Sequence, residues 1–146
     1  MQLSRTVFLL ALVLPVVAAS SVAQDPYGTG TPGTGGVTPV LTCNQAWMGH
    51  GKFAFQMHQA RGGATGFFAL SRQRGQWSVG QTQILVDLAP TNLMLLLPVQ
   101  FNGKSGSPGA GSAIVPLPLV FPLSPALAGT EFFAQCVVVD YLRPGS

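Results

Sequence analysis

After residue 36, the chain is a series of short apolar or alternating runs separated by turn residues. Residues 52–59 alternate most clearly, with Phe53, Phe55 and Met57 on one face and polar side chains on the other, which indicates a half-buried strand. The Gly/Ser-rich loop 102–112 is predicted to join two strands as a long hairpin. Further strands are predicted at residues 37–43, 66–73, 84–88 and 93–99.

Two more apolar segments follow that loop, and neither fits a helix. Prolines interrupt residues 113–128 four times, so this segment cannot form a helix that crosses a membrane, and we predict an extended edge strand. Residues 131–139 are apolar on both faces except for Gln135 and are predicted to form a central strand. Because no stretch keeps a helical period over several turns, the sequence predicts an all-β fold, an antiparallel β-sandwich of about six to eight short strands.

The first 23 residues have the pattern of a secretory signal peptide. Arg5 precedes an apolar run at residues 7–17, and the small-residue site Ser21-Val22-Ala23 follows. The alternative is an N-terminal membrane anchor, but Pro15 interrupts the run, and small residues rather than stop-transfer charges follow it. Cleavage after Ala23 leaves a Gly/Thr/Pro-rich lead-in at residues 24–36, a linker or extended segment, and one β-sandwich domain at residues 37–146. We therefore expect the protein to be secreted or held at the cell surface.

Charged residues make up only 8% of the chain, where about a quarter is usual for a globular domain. Without Arg5, the predicted mature protein keeps six of the seven basic residues against four acids, a balance of +2. This low charge density favours a surface or matrix protein. It does not favour nucleic-acid binding, which usually needs a strongly basic surface.

Cys43 and Cys136 are the two cysteines of the chain. In an oxidising compartment they are predicted to form one disulfide that ties the first strand to the last, and the alternative is two buried thiols. His50 and His58 lie near Cys43, but their spacing matches no standard pattern of metal ligands. We therefore predict no metal site.

The sequence carries no recognisable catalytic motif. It has no G-x-S-x-G elbow, and Gly103-Lys104-Ser105 lacks the first glycine of a phosphate-binding loop because Pro98 stands in that position. Three of the four acids, Asp87, Glu131 and Asp140, lie at predicted strand ends, where acids more often bind turn backbone groups than act in catalysis. A catalytic pair of Asp87 and Glu131 is the alternative. The sequence predicts no enzyme and no cofactor.

A basic segment flanked by two tryptophans is the strongest candidate for binding. It covers residues 50–74, contains no acid and includes His50, Lys52 and His58, with Trp47 before it and Trp77 after it. Aromatic rings stack on sugars, and arginine side chains bind carboxylates or sulfates, so this segment could bind neutral or anionic glycans. The alternative is that the arginines keep the surface soluble and both tryptophans belong to the core. The candidate glycan-binding residues are Trp47, Arg61, Arg72, Arg74 and Trp77.

Two parts of the chain carry a resemblance to known proteins. They are the lead-in YGTGTPGTGG at residues 27–36 and the turn PALAG at residues 125–129, which is followed by FFAQ at residues 132–135. The chain thereby resembles uncharacterised secreted β-rich domains of planctomycete-type bacteria, although Thr31 stands where those domains often have cysteine. The resemblance implies an exported β-sandwich with no established chemistry. Together these patterns predict a secreted, non-catalytic structural or interaction module whose partner is a surface glycan or another envelope protein, with a carbohydrate-binding module as the alternative.

Overall fold

A computed structural model describes residues 25–44, 51–117 and 130–140. Within these residues the chain forms one short 3₁₀ helix and eight β-strands in antiparallel sheets, which confirms the predicted fold class. The predicted signal peptide lies outside the described residues, as do Trp47, His50 and residues 118–129. No helix in the described part of the chain is long and apolar enough to cross a membrane. The 3₁₀ helix is Thr34–Gly36, and the strands are β1 (Val40–Cys43), β2 (Ala54–Ala60), β3 (Thr65–Ser71), β4 (Arg74–Val79), β5 (Thr82–Val86), β6 (Leu93–Gln100), β7 (Gly111–Pro116) and β8 (Phe133–Val139).

Two three-stranded sheets pack face to face, and a two-stranded hairpin lies over one of them. The first sheet has the order β1-β2-β7, and the second sheet has the order β6-β3-β8. Strands β4 and β5 pair with each other to form the hairpin. Because β2 and β3 are consecutive but central in different sheets, the chain crosses between the sheets at residues 61–64.

The core lies between the two three-stranded sheets, because each contributes one apolar face. Met57 and Val115 come from the first sheet, Phe68 and Val99 come from the second, and all four side chains are buried in one cluster. The rings of Phe55 and Phe68 meet across the two sheets, with centroids 4.8 Å apart. The alternation predicted for residues 52–59 therefore identifies the inward face of β2 correctly.

A β-bulge changes the alternation near the end of β2. The pairing with β7 shifts between Met57 and Ala60, and Gln59 has a positive φ of 60°. As a result, His58 and Gln59 are both exposed, while Met57 and Ala60 are both buried. Bulges bend a strand. Here the bend comes directly before the crossing to the second sheet.

Three of the four outer strands of the two sheets carry or follow a proline. Pro116 ends β7, Pro98 lies within β6, and Pro39 directly precedes β1. A proline has no N–H to donate, so it suits an edge strand and hinders pairing with another chain. The edge strand predicted at residues 113–128 is confirmed for the part that belongs to β7, and the segment from residue 118 lies outside the described residues.

Other strand predictions differ from the structure. The loop 102–112 does not close a hairpin, because it carries the chain from β6 in the second sheet to β7 in the first. Among the described strands, β8 pairs with β3 alone and is an edge strand rather than a central one. The hairpin and the lead-in cover its outward side, where Gln135 bonds to β5 and Phe133 contacts Tyr27. The predicted strands do not include β4, because Arg72, Arg74 and Gly75 resemble a turn.

The lead-in packs against the sandwich and is not a free linker. The backbone N–H of Thr34 donates to Asp140 Oδ2 at 2.7 Å, and the ring of Tyr27 meets the ring of Phe133 edge-on at 5.6 Å. Gly28, which lies against the side chain of Leu85 in the hairpin, has a positive φ of 76°, a backbone conformation that favours glycine. A segment with few apolar side chains can therefore dock, since its backbone approaches the sandwich directly.

Candidate interaction surface

The structure does not bring the predicted glycan-binding residues together as one site. Trp47 lies outside the described residues. Arg61 lies at the crossing between β2 and β3, Arg72 follows β3, and Arg74 and Trp77 belong to β4. Arg61 and Arg74 have side-chain partners in the fold. Arg72, Arg74 and Trp77 are exposed.

Arg61 connects the crossing between the sheets to the end of β8. Its Nη1 lies 3.2 Å from Asp140 Oδ1, and the two side chains are only 17% and 13% exposed. The other carboxylate oxygen of Asp140 accepts the N–H of Thr34. The Asp140 side chain therefore joins three separate parts of the chain, and this arrangement favours a structural role for Arg61 over contact with a glycan.

Arg74 packs on two aromatic rings. Its guanidinium carbon is 5.0 Å from the ring centroid of Tyr27 and 5.0 Å from that of Phe133. Cation–π contacts contribute about 0.5–1 kcal/mol at exposed sites. Burial raises the pKa of Tyr27, and the nearby charge of Arg74 opposes that rise. These three side chains form an aromatic junction that holds the lead-in, β4 and β8 together.

The side chain of Gln135 completes one edge of β5. It points away from the core, because Ala134 and Cys136 on either side of it pack inward. Its Oε1 accepts the N–H of Leu85 at 2.7 Å, and its Nε2 donates to the carbonyl of Gln83 at 2.8 Å. The side-chain amide of Gln135 therefore bonds to the backbone of β5 as a neighbouring strand would. It thereby fixes the hairpin over the outer face of the second sheet.

The hairpin presents Trp77 to solvent. Trp77 is 56% exposed, and Arg72 and Val79 on the same hairpin region are exposed as well. The alternative that places both tryptophans in the core is therefore wrong for Trp77. Aromatic side chains contribute strongly to interfaces, because each can bury about 150–250 Å². An exposed indole thus makes the hairpin a candidate for binding.

Apolar side chains also cover the open part of the outer face of the second sheet. They are Phe67 on β3, which is 48% exposed, and Met94 and Leu96 on β6, of which Leu96 is 51% exposed. The register places Phe67 opposite Pro98, two positions along from Leu96, so these side chains share one face. We call Phe67, Met94 and Leu96 the outer patch.

Sequence patterns do not single out the outer patch, because β3 and β6 are apolar on both faces. An apolar run such as residues 93–97 is typical of a strand buried on both sides. In the structure, Leu95 and Leu97 pack against the core, while Met94 and Leu96 point outward. One sequence feature could have indicated an exposed apolar face. Helices usually cover the second face of such a strand, and the sequence predicts no helix.

Cys43 and Cys136 are thiols that are not joined to each other, so the predicted disulfide is wrong. Cys43 ends β1 in the first sheet, and Cys136 lies in β8 of the second. An even cysteine count permits a pairing, but it does not specify which side chains the packing of the two sheets brings into contact. Burial raises the pKa of both thiols, and it raises that of Cys136 to about 12.

Asp87, which directly follows β5, stabilises a turn with its carboxylate. Asp87 accepts the N–H of Ala89 at 2.9 Å and the side-chain amide of Asn92 at 2.6 Å. These two hydrogen bonds hold the pKa of Asp87 below its usual range, and the bond from the Ala89 backbone has the larger effect. The prediction that a strand-end acid binds turn backbone is confirmed for Asp87.

The outer patch and the hairpin lie on the same side of the molecule, because the hairpin sits over the outer face of the second sheet. Together they give that side an apolar character with Trp77 standing out from it. This surface is therefore the feature of the described residues that most favours binding.

Comparison with protein-family models, with curated proteins and with solved structures gives no match for this chain.

Proposed function

We propose that this protein is an exported, non-catalytic interaction module of the cell envelope or extracellular space. The proposal rests on the exposure of large apolar side chains on one side of the molecule. In the described residues, five of the eight large apolar side chains that are exposed lie on the outer patch or the hairpin. Soluble monomers rarely expose contiguous apolar patches larger than about a few hundred Å² unless those patches bind something. The five residues are Phe67, Trp77, Val79, Met94 and Leu96.

Export is supported by the N-terminal sequence and by the low charge of the chain. Intact-mass analysis of exported protein is expected to find Gln24 as the first residue, because the site Ser21-Val22-Ala23 precedes it. An exported species that retained residues 1–17 would contradict cleavage at that site.

The non-catalytic part of the proposal is supported by the acids. Asp87 and Asp140 already hold structural hydrogen bonds, in a turn and in the Arg61 ion pair. Asp25 and Glu131 are exposed, and Asp25 lies in the lead-in. A pair of carboxylates poised for acid and base chemistry would instead need environments that separate their pKa values.

Binding to envelopes of the producing cells tests the interaction module. Leu96→Lys puts a charge into the outer patch, and losing the burial of one leucine side chain, about 1.5–3 kcal/mol, should weaken saturable binding by roughly tenfold or more. Ile114→Lys is the matched control, because Ile114 is 67% exposed on β7 of the first sheet. Both variants should melt like the unchanged protein. Equal binding by the Leu96→Lys and Ile114→Lys proteins would contradict the proposal.

Carbohydrate binding is a second candidate, and the exposure of Trp77 is the observation that favours it. An indole face can stack on a sugar ring, and the exposed Arg72 could bind a carboxylate or sulfate of the same glycan. A glycan array should then show saturable binding that Trp77→Ala and Arg72→Ala both weaken. Trp77→Ala should still fold, because the indole is mostly outside the core. Loss of binding through unfolding alone would count against this candidate.

A further inference from the structure

We infer that the open edge of β4 pairs with β4 of a second copy of this chain, so that two hairpins form one continuous antiparallel sheet. The inference deepens the proposed function and rests on it, because it names a partner for the hairpin that bears Trp77. Strand addition at an exposed sheet edge is a common mode of recognition, since the backbone supplies the hydrogen bonds.

Among the described strands, β4 differs from the other edges. β1, β6 and β7 carry or follow a proline. β8 is contacted by the lead-in at both ends, through Phe133 and the neighbouring Asp140, and β5 is capped by the Gln135 amide. β4 has no proline, and five of its six residues are exposed. Such an edge is a template for an added strand.

The groups on β5 determine which backbone groups of β4 face outward. The N–H of Leu85 and the carbonyl of Gln83 point away from β4, because both bond to the Gln135 amide. Successive residues of a strand point to opposite edges, so Ile84 points toward β4. Trp77 is the register partner of Ile84 and therefore points toward β5.

By the same alternation, the N–H and C=O groups of Ser78 point to the open edge. The pairing of β4 with β5 shifts in register between Arg74 and Trp77, and Gly75 lies directly against the carbonyl of Val86. We therefore assign the extra residue of this bulge to a position before Gln76, so that the N–H and C=O groups of Gln76 also face the open edge. The described residues provide these groups with no backbone partner on that side. An antiparallel pairing centred on Trp77 places Gln76 opposite Ser78 of the second copy, and Ser78 opposite Gln76 of the second copy. The outward groups of both residues are then satisfied in both chains.

The side chains also suit this register. Trp77 faces Trp77 of the second copy at a position without hydrogen bonds, where opposed side chains are closest. Cross-strand aromatic pairs of this kind stabilise antiparallel sheets. The indole that is exposed in one copy would therefore be covered in the pair.

Charge favours a second copy in this orientation. Arg74 begins β4 and Arg72 lies two residues before it, so antiparallel pairing sends the arginines of the two chains to opposite ends. Arg74 comes opposite Gly80 of the second copy, and the two Arg74 residues are then about 20 Å apart along the strands. That separation exceeds the screening length of about 8 Å at physiological salt. A parallel pairing would instead place like charges side by side.

Cysteine cross-linking tests the register. Trp77→Cys should give disulfide-linked dimers with oxidised glutathione, because opposed Cα atoms at such a position lie about 4.5 Å apart, within the range for a disulfide. Val79→Cys is the matched control on the same exposed strand, and its two copies would lie about 13 Å apart along the strands. Cys43 and Cys136 are the same in both variants, and burial raises the pKa of each.

Light scattering on the purified protein completes the test. The unchanged protein and Ser78→Ala should both reach twice the monomer mass as the concentration rises, because each keeps the outward N–H of residue 78. Ser78→Pro should stay at the monomer mass and keep the fold of the sandwich, because the lost N–H faces away from β5. A monomer at every concentration, or equal cross-linking at residues 77 and 79, would overturn the inference. Envelope binding that persists in a monomer would show that the proposed function survives without it.

Discussion

Removing the Gln135 side chain would measure how strongly the hairpin is held on the second sheet. Gln135→Ala breaks the hydrogen bonds of 2.7 Å and 2.8 Å to the backbone of β5. Each intramolecular hydrogen bond contributes about 0.5–1.5 kcal/mol net, so the hairpin should lose about 1–3 kcal/mol of stability against local opening. The core cluster does not include Gln135, and its stability should change less.

Hydrogen exchange at the backbone of Leu85 is the most direct assay, because that N–H is the one that bonds to Gln135. Local opening controls such exchange, and a loss of about 1–3 kcal/mol corresponds to exchange that is about 5–150 times faster. Gln83→Ala is the control, since it removes a side chain while leaving the carbonyl that Gln135 binds. The Leu85 amide should exchange in that variant as in the unchanged protein.

Gln135→Glu separates the two hydrogen bonds by pH. A carboxylate can still accept the N–H of Leu85, but it cannot donate to the carbonyl of Gln83, and the two oxygens repel each other. Protonation restores a donor, so the hairpin should be loose at neutral pH and become tighter as the pH falls through the pKa of the new glutamate. If Leu85 exchanges at one rate in all these proteins, the amide does not hold the hairpin.

Phe68→Ala should lower the free energy of unfolding by about 3–5 kcal/mol, because the ring is fully buried. Phe67→Ala should lower it by only about 1 kcal/mol, because the neighbouring Phe67 ring is 48% exposed. Equal effects of the two changes in urea titrations would contradict the assigned faces of β3. Cys136, whose pKa is raised to about 12, should react with a thiol reagent at pH 8 only after unfolding, and rapid labelling of the folded protein would count against its burial. The lowered pKa of Asp87 stabilises the fold above the pKa of the unfolded chain, and this contribution should disappear as the pH falls through the folded pKa. An NMR titration should find a higher pKa for Asp87 in Asn92→Ala, and an unchanged value would refute the role of that amide.

Inward faces could be predicted from sequence, and outward faces could not. Phe55 and Met57 alternate with Gln56 and His58 in β2, and Met57 is buried while His58 is exposed, so the pattern reveals the core. In β6, Met94 and Leu96 are as apolar as the core residues between them, and the pattern cannot tell which face is covered. The exposure of Trp77 has the same cause, since a residue type does not specify whether a neighbouring element packs on it.

The sequence shows which isolated polar residues stand out from their neighbours, but it does not show which groups they bind. Gln135 stands out in residues 131–139, yet the backbone groups that it binds lie 50 and 52 positions earlier in the chain. The sequence places Arg61 in a segment without acids and so predicts a basic face, whereas in the structure Asp140, 79 positions away in the chain, bonds to Arg61. Side-chain bonds over such separations depend on the topology, and local patterns carry no information about them.

The pairing of β3 with β8 has a consequence for the order of events during synthesis. It joins residues 65–71 to residues 133–139, and Asp140 then joins the lead-in to the same end of the chain. A chain that emerges from the ribosome N-terminus first therefore cannot complete its second sheet, or seat its lead-in, before β8 has been made. Non-local pairing is also slow, because the entropy of loop closure is lost before the contacts form. If the chain is exported as we propose, completion of the second sheet waits until β8 has been made, and the protein reaches its full fold only at the end of its synthesis.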